Sequence, residues 1–260
     1  MSNSSHTSTE GTTHFGYTTV PRTEKAGRVR AVFDSVAAKY DVMNDVMSGG
    51  VHRLWKDAMV DWLAPRPGWN TIDVAGGTGD IALRIHNRMK RGASAQAGSI
   101  VVCDINEAML SHGRDRALDR GVLHGLRWSV GNAECLPFSD MSFDAFTIAF
   151  GLRNVTDIDA ALRDARRVLK PGGRFLCLEF SSVVVPGLAA LYDRYSFSIL
   201  PRLGSAIAGD AEAYRYLAES IRRFPDQQTL AERMTAAGFG NVAYRNLSGG
   251  IAALHSGWRL

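Results

Sequence analysis

The sequence predicts an α/β fold: a mostly parallel, doubly wound sheet of seven strands, helices on both faces and an antiparallel strand at the edge. Three observations predict it. From residue 71 onward, apolar runs alternate with helical periodicities, the pattern of strands joined by crossover helices. The first run breaks into Gly76-Gly-Thr-Gly79 and opens at once onto a helical pattern (Ile81, Ala82, Leu83, Ile85). The next buried run, 100–103, ends in an acid, Asp104. A strand, a glycine turn and a helix N-terminus let backbone approach a nucleotide-like ligand with no Cβ in the way. An acid closing the neighbouring strand is placed to accept from both hydroxyls of a ribose. Together they imply a nucleoside cofactor at the switch point of the sheet.

The elements follow in order. Residues 1–22, rich in Ser and Thr, read as a disordered tail, and 23–260 as one domain. A helical cap spans 23–65. Within it Val29, Val32, Phe33, Val36, Ala37 and Tyr40 recur at helical spacing over 25–47, and a second helix over 51–63 is closed off by Pro65 and Pro67. Strands are expected over 71–75, 100–103, 126–130, 143–150 and 174–180. Helices are expected over 79–89, 106–120 and 157–169, the last ended by Pro171-Gly-Gly173. A helical insertion over 186–224 breaks the rhythm, with Leu188, Leu191, Tyr192, Tyr195 and Ile199 along one side of its first helix. Helices over 211–224 and 226–238 follow, and a hairpin-like pair, 242–247 and 251–255, closes the chain around Ser248-Gly-Gly250.

Composition narrows the function. With 260 residues, 45% hydrophobic and 22% charged, the chain is an ordinary globular protein with room for a large core. A net charge of +4 suits an anionic membrane surface, but basic blocks with interleaved aromatics are absent, which argues against nucleic acid as a partner. Cys103, Cys135 and Cys177 are odd in number and scattered, the usage of a reducing compartment. No metal-ligand spacing occurs. No apolar stretch approaches the roughly 18–20 residues of a spanning helix, and the N-terminus lacks a signal-like apolar region. The expected location is cytoplasmic, at most peripheral on a membrane.

The glycine turn alone does not name the cofactor, since Gly77-Thr-Gly-Asp-Ile-Ala82 formally matches a dinucleotide fingerprint. Three neighbouring features favour S-adenosylmethionine. Asp73 lies inside the first strand, where a carboxylate burdens a pyrophosphate but suits the α-ammonium of a methionine; a core acid capping the turn is the alternative. Gly131-Asn-Ala-Glu134 follows the third strand and offers Asn132 and Ala133 where an adenine edge could be read, although Asn132 is equally a turn former. Finally, no second nucleotide-binding half is present, and a mononucleoside needs only one.

Several segments resemble the ubiquinone/menaquinone biosynthesis C-methyltransferases. They are Phe33-Asp-Ser-Val-Ala-Ala-Lys-Tyr-Asp-Val-Met-Asn-Asp45, His52-Arg-Leu-Trp-Lys56, Asp73-Val-Ala-Gly-Gly-Thr-Gly-Asp80 and Asp104-Ile-Asn-Glu-Ala-Met-Leu110. Phe150-Gly-Leu-Arg-Asn-Val-Thr-Asp157, Arg167-Val-Leu-Lys-Pro-Gly-Gly173, Tyr214-Arg-Tyr-Leu-Ala-Glu-Ser220 and Gly250-Ile-Ala-Ala-Leu-His255 extend the likeness over nearly the whole chain from Thr13. The glycine turn and the Lys-Pro-Gly-Gly turn are shared by many methyltransferases; the first segment and Phe-Gly-Leu-Arg-Asn are far more specific.

The resemblance implies a class I, Rossmann-like methyltransferase that methylates a ring carbon of a polyprenylated quinol, a methoxy-polyprenyl-benzoquinol or a demethylmenaquinol. It implies Thr78 at the methionine part of the cofactor, with Gly77 and Gly79 giving backbone access, Asp104 at the ribose, and Asn132 and Ala133 at the adenine. A serine that the family often carries before Phe-Gly-Leu-Arg-Asn is Ala149 here, so that hydroxyl contact is lost. Deprotonation of the quinol pushes density onto the ring carbon, and a fixed cation favours the phenolate. Arg153 is the candidate for that electrostatic role, with Asn154 binding a water or ring oxygen and pairing of Arg153 to Asp157 as the alternative. Tyr40, His52, Tyr195 and His255 are weaker candidates for ring contact. The expected partners are the quinol, a membrane surface, and a second copy of the chain or a quinone-making complex. Another small hydroxylated acceptor, or a non-catalytic nucleoside-binding subunit, stays open as an alternative.

Overall fold

The computed structural model describes residues 11–36, 45, 48–90, 98–187 and 211–260. Its centre is a seven-stranded sheet. The chain enters through a hairpin, β1 (Thr12–Phe15) and β2 (Thr18–Pro21), then α1 (Arg22–Val36) and α2 (His52–Leu63). The α/β body comprises β3 (Asn70–Val74), α3 (Asp80–Lys90), β4 (Ser99–Asp104), α4 (Glu107–Asp119), β5 (Leu126–Val130) and β6 (Phe143–Ala149). A 3-10 turn (Leu152–Asn154), α5 (Ile158–Val168) and β7 (Leu169–Phe180) continue it. After α6 (Ala211–Arg223) and α7 (Gln227–Ala236) come β8 (Gly240–Leu247) and β9 (Ala252–Trp258).

The strand order is β5-β4-β3-β6-β7-β9-β8. The first five strands pair in parallel; β9 is antiparallel to both β7 and β8. The expected closing hairpin therefore occupies that edge, with the reversed strand β9 inserted between β7 and the outermost β8. The order turns back between β3 and β6, and such a switch opens a crevice beyond the C-terminal strand ends.

Period-two alternation sorts side chains into two cores. Ile72, Val74, Val101, Phe146 and Phe175 face a layer closed by Leu162 of α5 and Leu230 and Met234 of α7. Val102, Leu176, Leu178 and Phe180 face the other, closed by Trp55 and Met59 of α2, Ile85 of α3 and Leu217 of α6. Asp73 shares that second face and pairs in register with Val102 and Thr147, a carboxyl in an otherwise apolar sheet centre. Helix starts are fixed by side-chain caps: Asn106 accepts from Met109 N at 3.1 Å, Asp157 from Ala160 N at 2.9 Å and Asp226 from Thr229 N at 2.8 Å.

The disordered tail expected over 1–22 is corrected within the described part: residues 12–21 form a hairpin that is tied down. Phe15 stacks on Tyr216 of α6 with ring centroids 4.2 Å apart, and Tyr17 N donates to Glu219 Oε2 at 2.9 Å. A Ser/Thr-rich composition hides this because the anchors lie about two hundred residues away. The helical cap is present as α1 and α2. Residues 1–10 and the helix expected over 188–203 lie outside the described residues, as do Tyr40 and Tyr195.

Candidate active site

The crevice opens at the C-terminal ends of β3, β4, β5 and β6, and it gathers the turns that follow them. Helix α1 forms its roof through Ala26, Val29 and Arg30. Two tethers hold α1 there: Lys25 Nζ donates to Val155 O at 2.8 Å, and Arg30 to Ile105 O at 3.3 Å. Burial lowers the Lys25 ammonium to a pKa of about 8.

Asp73 lies on the floor, 1% exposed. Its Oδ1 accepts from Thr147 Oγ1 at 2.8 Å, while Oδ2 has no protein partner within hydrogen-bonding distance among the described residues. Burial pushes its carboxyl up to about 7, against the Thr147 hydrogen bond and the Ala82 backbone amide. A buried acceptor left open costs about 1–3 kcal/mol, so a cationic ligand at Oδ2 is the group this floor lacks. The ammonium of a methionine fits it.

Asp104, at the end of β4, accepts from Gly77 N at 2.8 Å through Oδ2 and from Asn106 N at 2.9 Å through Oδ1. Burial raises its carboxyl, and backbone donors hold it down in part. Each carboxylate oxygen has a second lone pair, so two ribose hydroxyls would find acceptors there. Gly77 has φ +50°, and a Cβ added to it would meet the Met109 methyl at 3.2 Å and Asp104 Oδ2 at 3.8 Å; glycine keeps this cradle open. Asn132 and Ala133 line the same crevice beyond β5. The Asn132 Oδ1 accepts from Glu134 N at 3.0 Å, so the turn-former role is real and the amide NH2 is the group left for an adenine edge. Glu134 in turn accepts from Thr156 N at 2.9 Å, joining this loop to the one after β6. Thr78 lines the crevice, and its Oγ1 accepts from Arg116 at 3.0 Å. The residues present thus fit the expected cofactor at its ammonium, ribose and adenine ends.

Two expectations are corrected. Gly79 does not line the crevice; a Cβ there would meet the Trp128 ring at 2.7 Å, so its glycine serves helix packing at φ +74°. Arg153 does not face the crevice as a free cation. The 3-10 turn sends Leu152 and Arg153 inward and leaves Asn154 at the wall. The Arg153 guanidinium pairs with Glu179 at 2.8 Å, both side chains 1% exposed, and donates to Phe150 O at 2.5 Å. Burial raises the Glu179 carboxyl while Arg153 opposes the rise. Nor does Arg153 pair with Asp157, which caps α5 and binds Arg22 at 3.0 Å. Asn154 Oδ1 accepts from the Tyr216 hydroxyl at 2.9 Å, which leaves its NH2 as donor on the crevice side.

His52 and His255 lie away from the crevice lining. The His52 Nδ1 meets Ser48 Oγ at 2.9 Å, the His255 Nε2 meets Gln227 O at 2.9 Å, and burial lowers both imidazoles. Sequence reasoning gave no site role to Lys56, which lines the crevice 4% exposed and meets Asp80 Oδ2 at 2.9 Å. Its signal is a lysine on the buried stripe of α2 beside Trp55 and Met59.

A family model described as the ubiE/COQ5 methyltransferase family matches residues 21–259. The ubiquinone/menaquinone biosynthesis C-methyltransferase UbiE of Cereibacter sphaeroides is 58% identical, over 97% of this chain and 98% of its own length. That of Brucella abortus is 58% identical over 95% of this chain and 90% of its own. In fold the chain is similar to an S-adenosylmethionine-dependent methyltransferase of Thermotoga maritima, with a TM-score of 0.61 at 20% identity, covering 88% of this chain and 99% of that one. A second, from Aquifex aeolicus, has a TM-score of 0.57 at 12% identity, covering 79% and 89%. The fold is that of the Rossmann-like methyltransferases, and the chain belongs to the ubiE/COQ5 methyltransferase family.

Proposed function

We propose that this chain is an S-adenosylmethionine-dependent C-methyltransferase that methylates a ring carbon of a polyprenylated quinol in ubiquinone or menaquinone biosynthesis. The observation that carries the cofactor reading is the crevice itself: Asp73 Oδ2 unpartnered on its floor, with Asp104, Gly77 and Asn132 around it. When bound, the cofactor supplies an activated methyl group on a sulfonium. Asp73 and Asp104 of the crevice favour such a cation electrostatically.

The chain's own residues then orient the acceptor. Asn154, fixed by Tyr216, presents its NH2 to a ring oxygen or to a water beside it. A donor preplaced there stabilises negative charge on the oxygen as the ring becomes a phenolate, which directs density to the adjacent carbon. Arg153 is neutralised by Glu179, so its part is to hold the 3-10 turn that aims Asn154. Attack of the ring carbon on the methyl would break the methyl–sulfur bond and leave a neutral thioether, and the protons of the phenol and of that carbon would pass to water, restoring the aromatic ring. Arg30 and α1 form one wall of the crevice. Because a polyprenyl tail resides in the bilayer, the enzyme works at a membrane surface; among the described residues no helix is long and apolar enough to cross one.

Two experiments test the reading. Asp104→Ala weakens S-adenosylhomocysteine binding by about 1.5–3 kcal/mol, the range for hydrogen bonds to a charged group. Unchanged affinity by calorimetry removes Asp104 from the ribose site. Labelled methyl transfer to a short-tailed methoxy-polyprenyl-benzoquinol and to a demethylmenaquinol, side by side, names the acceptor by the ratio of products. Cofactor binding without product from either contradicts the quinol reading.

A further inference from the structure

We propose that Lys56 reads the carboxylate of the cofactor's amino-acid end, so that Asp73 and Lys56 together recognise a zwitterion across the Gly76-Gly77 turn. This rests on the S-adenosylmethionine reading above. Lys56 belongs to the His52-Arg-Leu-Trp-Lys56 segment, whose His52 lies away from the crevice. Lys56 projects from α2 into the crevice with 4% exposure.

A lysine this deep in a protein needs an anionic partner, and Asp80 is one. Asp80 alone does not account for the arrangement. It is also served by Arg84 of its own helix, at 3.4 Å, and although burial works against its charge, Lys56 and Arg84 hold its carboxyl below the usual range. An ammonium has three N–H donors, and among the described residues one of them meets an acceptor.

Asp73 is the second, independent observation. It is 1% exposed and offers an unpartnered Oδ2 in the same crevice. That oxygen lies 3.0 Å from where a Cβ on Gly76 would sit, so any side chain at this turn would crowd it. Lys56, Asp80 and Asp73 line the same crevice, and the charge of Asp80 helps to raise the Asp73 carboxyl. A simple cation would be attracted by Asp73 and repelled by Lys56. A ligand carrying ammonium and carboxylate on one carbon satisfies both, and the two α-substituents of a methionine have that arrangement. The assignment also explains why α2, otherwise an apolar packing helix, carries a charge on its buried stripe.

The test measures binding at pH 8 of two ligands: S-adenosylhomocysteine and its decarboxylated analogue, which keeps the amine. Wild-type protein binds S-adenosylhomocysteine about ten- to a hundredfold more tightly, the range for a charge-assisted hydrogen bond. In Lys56→Met, which keeps the apolar stem, and in Lys56→Gln, that preference falls to within about threefold. The affinity for the decarboxylated ligand stays within about threefold of wild type. If both ligands weaken by one common factor, Lys56 is a structural residue and the proposal is wrong. Equal binding of the two ligands by wild-type protein overturns it without any variant, so the test survives if a variant fails to fold. Failure of wild-type protein to bind either ligand defeats the cofactor reading itself, a result distinct from the other two.

Discussion

Asp73 sets the pH behaviour of the site. Its carboxyl is raised to about 7 from 3.8 by burial, so the folded protein holds this proton where the unfolded chain has lost it. Its contribution to stability without ligand is full below about pH 4 and is lost as pH rises through 7. Pairing with an ammonium requires the ionised form, so binding releases a proton. Affinity for S-adenosylhomocysteine should therefore rise close to tenfold per pH unit below about 7 and level off above it, and Asp73→Asn should flatten the curve. A flat wild-type profile removes Asp73 from the ligand. The Arg153–Glu179 pair gives a stability prediction. Glu179→Leu strands a guanidinium that cannot shed its charge and should cost about 3–5 kcal/mol by denaturant unfolding. Adding Arg153→Met should recover most of that loss; if the double variant is as unstable as the single one, the pair is not what fails. At this scale Asp73, Asp104 and Asn132 are legible in the sequence, because strand ends and the turns after them dictate where those side chains go. Arg153 is not. Spacing shows that it follows β6, but the 3-10 turn that directs it inward and the Glu179 that receives it, 26 residues on, arise only from tertiary packing.

Among the elements, the β3–α3 turn shows how a glycine motif divides its work. Gly77 keeps a cradle open beside Asp104, whereas Gly79 lets Trp128 of β5 pack onto the helix start. Gly79→Ala should destabilise the fold by about 1–3 kcal/mol through positive φ and overpacking, and Trp128→Leu should relieve the packing part. A Gly79→Ala variant that is fully stable yet fails to bind cofactor would return Gly79 to the site. Crossover helices are legible because their apolar periods and caps match what is buried, as in α4, α5 and α7; strand 126–130 lies where its apolar residues predict, although none of them is fully buried and Val130 is 52% exposed. The β1–β2 hairpin escapes the pattern. Its strands have four residues each and are half threonine, and its docking depends on Phe15 meeting Tyr216. That one contact connects the hairpin to the residue that holds Asn154, so the N-terminal segment buttresses the crevice.

At the scale of the molecule, a sheet that reverses its order between β3 and β6 makes one crevice, and α1 and α2 complete it from outside the sheet. The resemblance over nearly the whole chain and the match over residues 21–259 agree on the family. What sequence does not give is the contribution of the cap: Arg30 and Lys56 come from helices read as packing elements, and both line the site. The account makes the ring's redox state decisive, since only a quinol can supply a phenolate to a residue such as Asn154. The measurement that tests this most directly is transfer of a labelled methyl group from S-adenosylmethionine to one short-tailed acceptor, reduced in one reaction and kept oxidised in the other, with the position of the label read by mass spectrometry or carbon NMR. The account predicts label on a ring carbon in the reduced reaction and none in the oxidised one. Equal transfer to both, or label on oxygen, would contradict it.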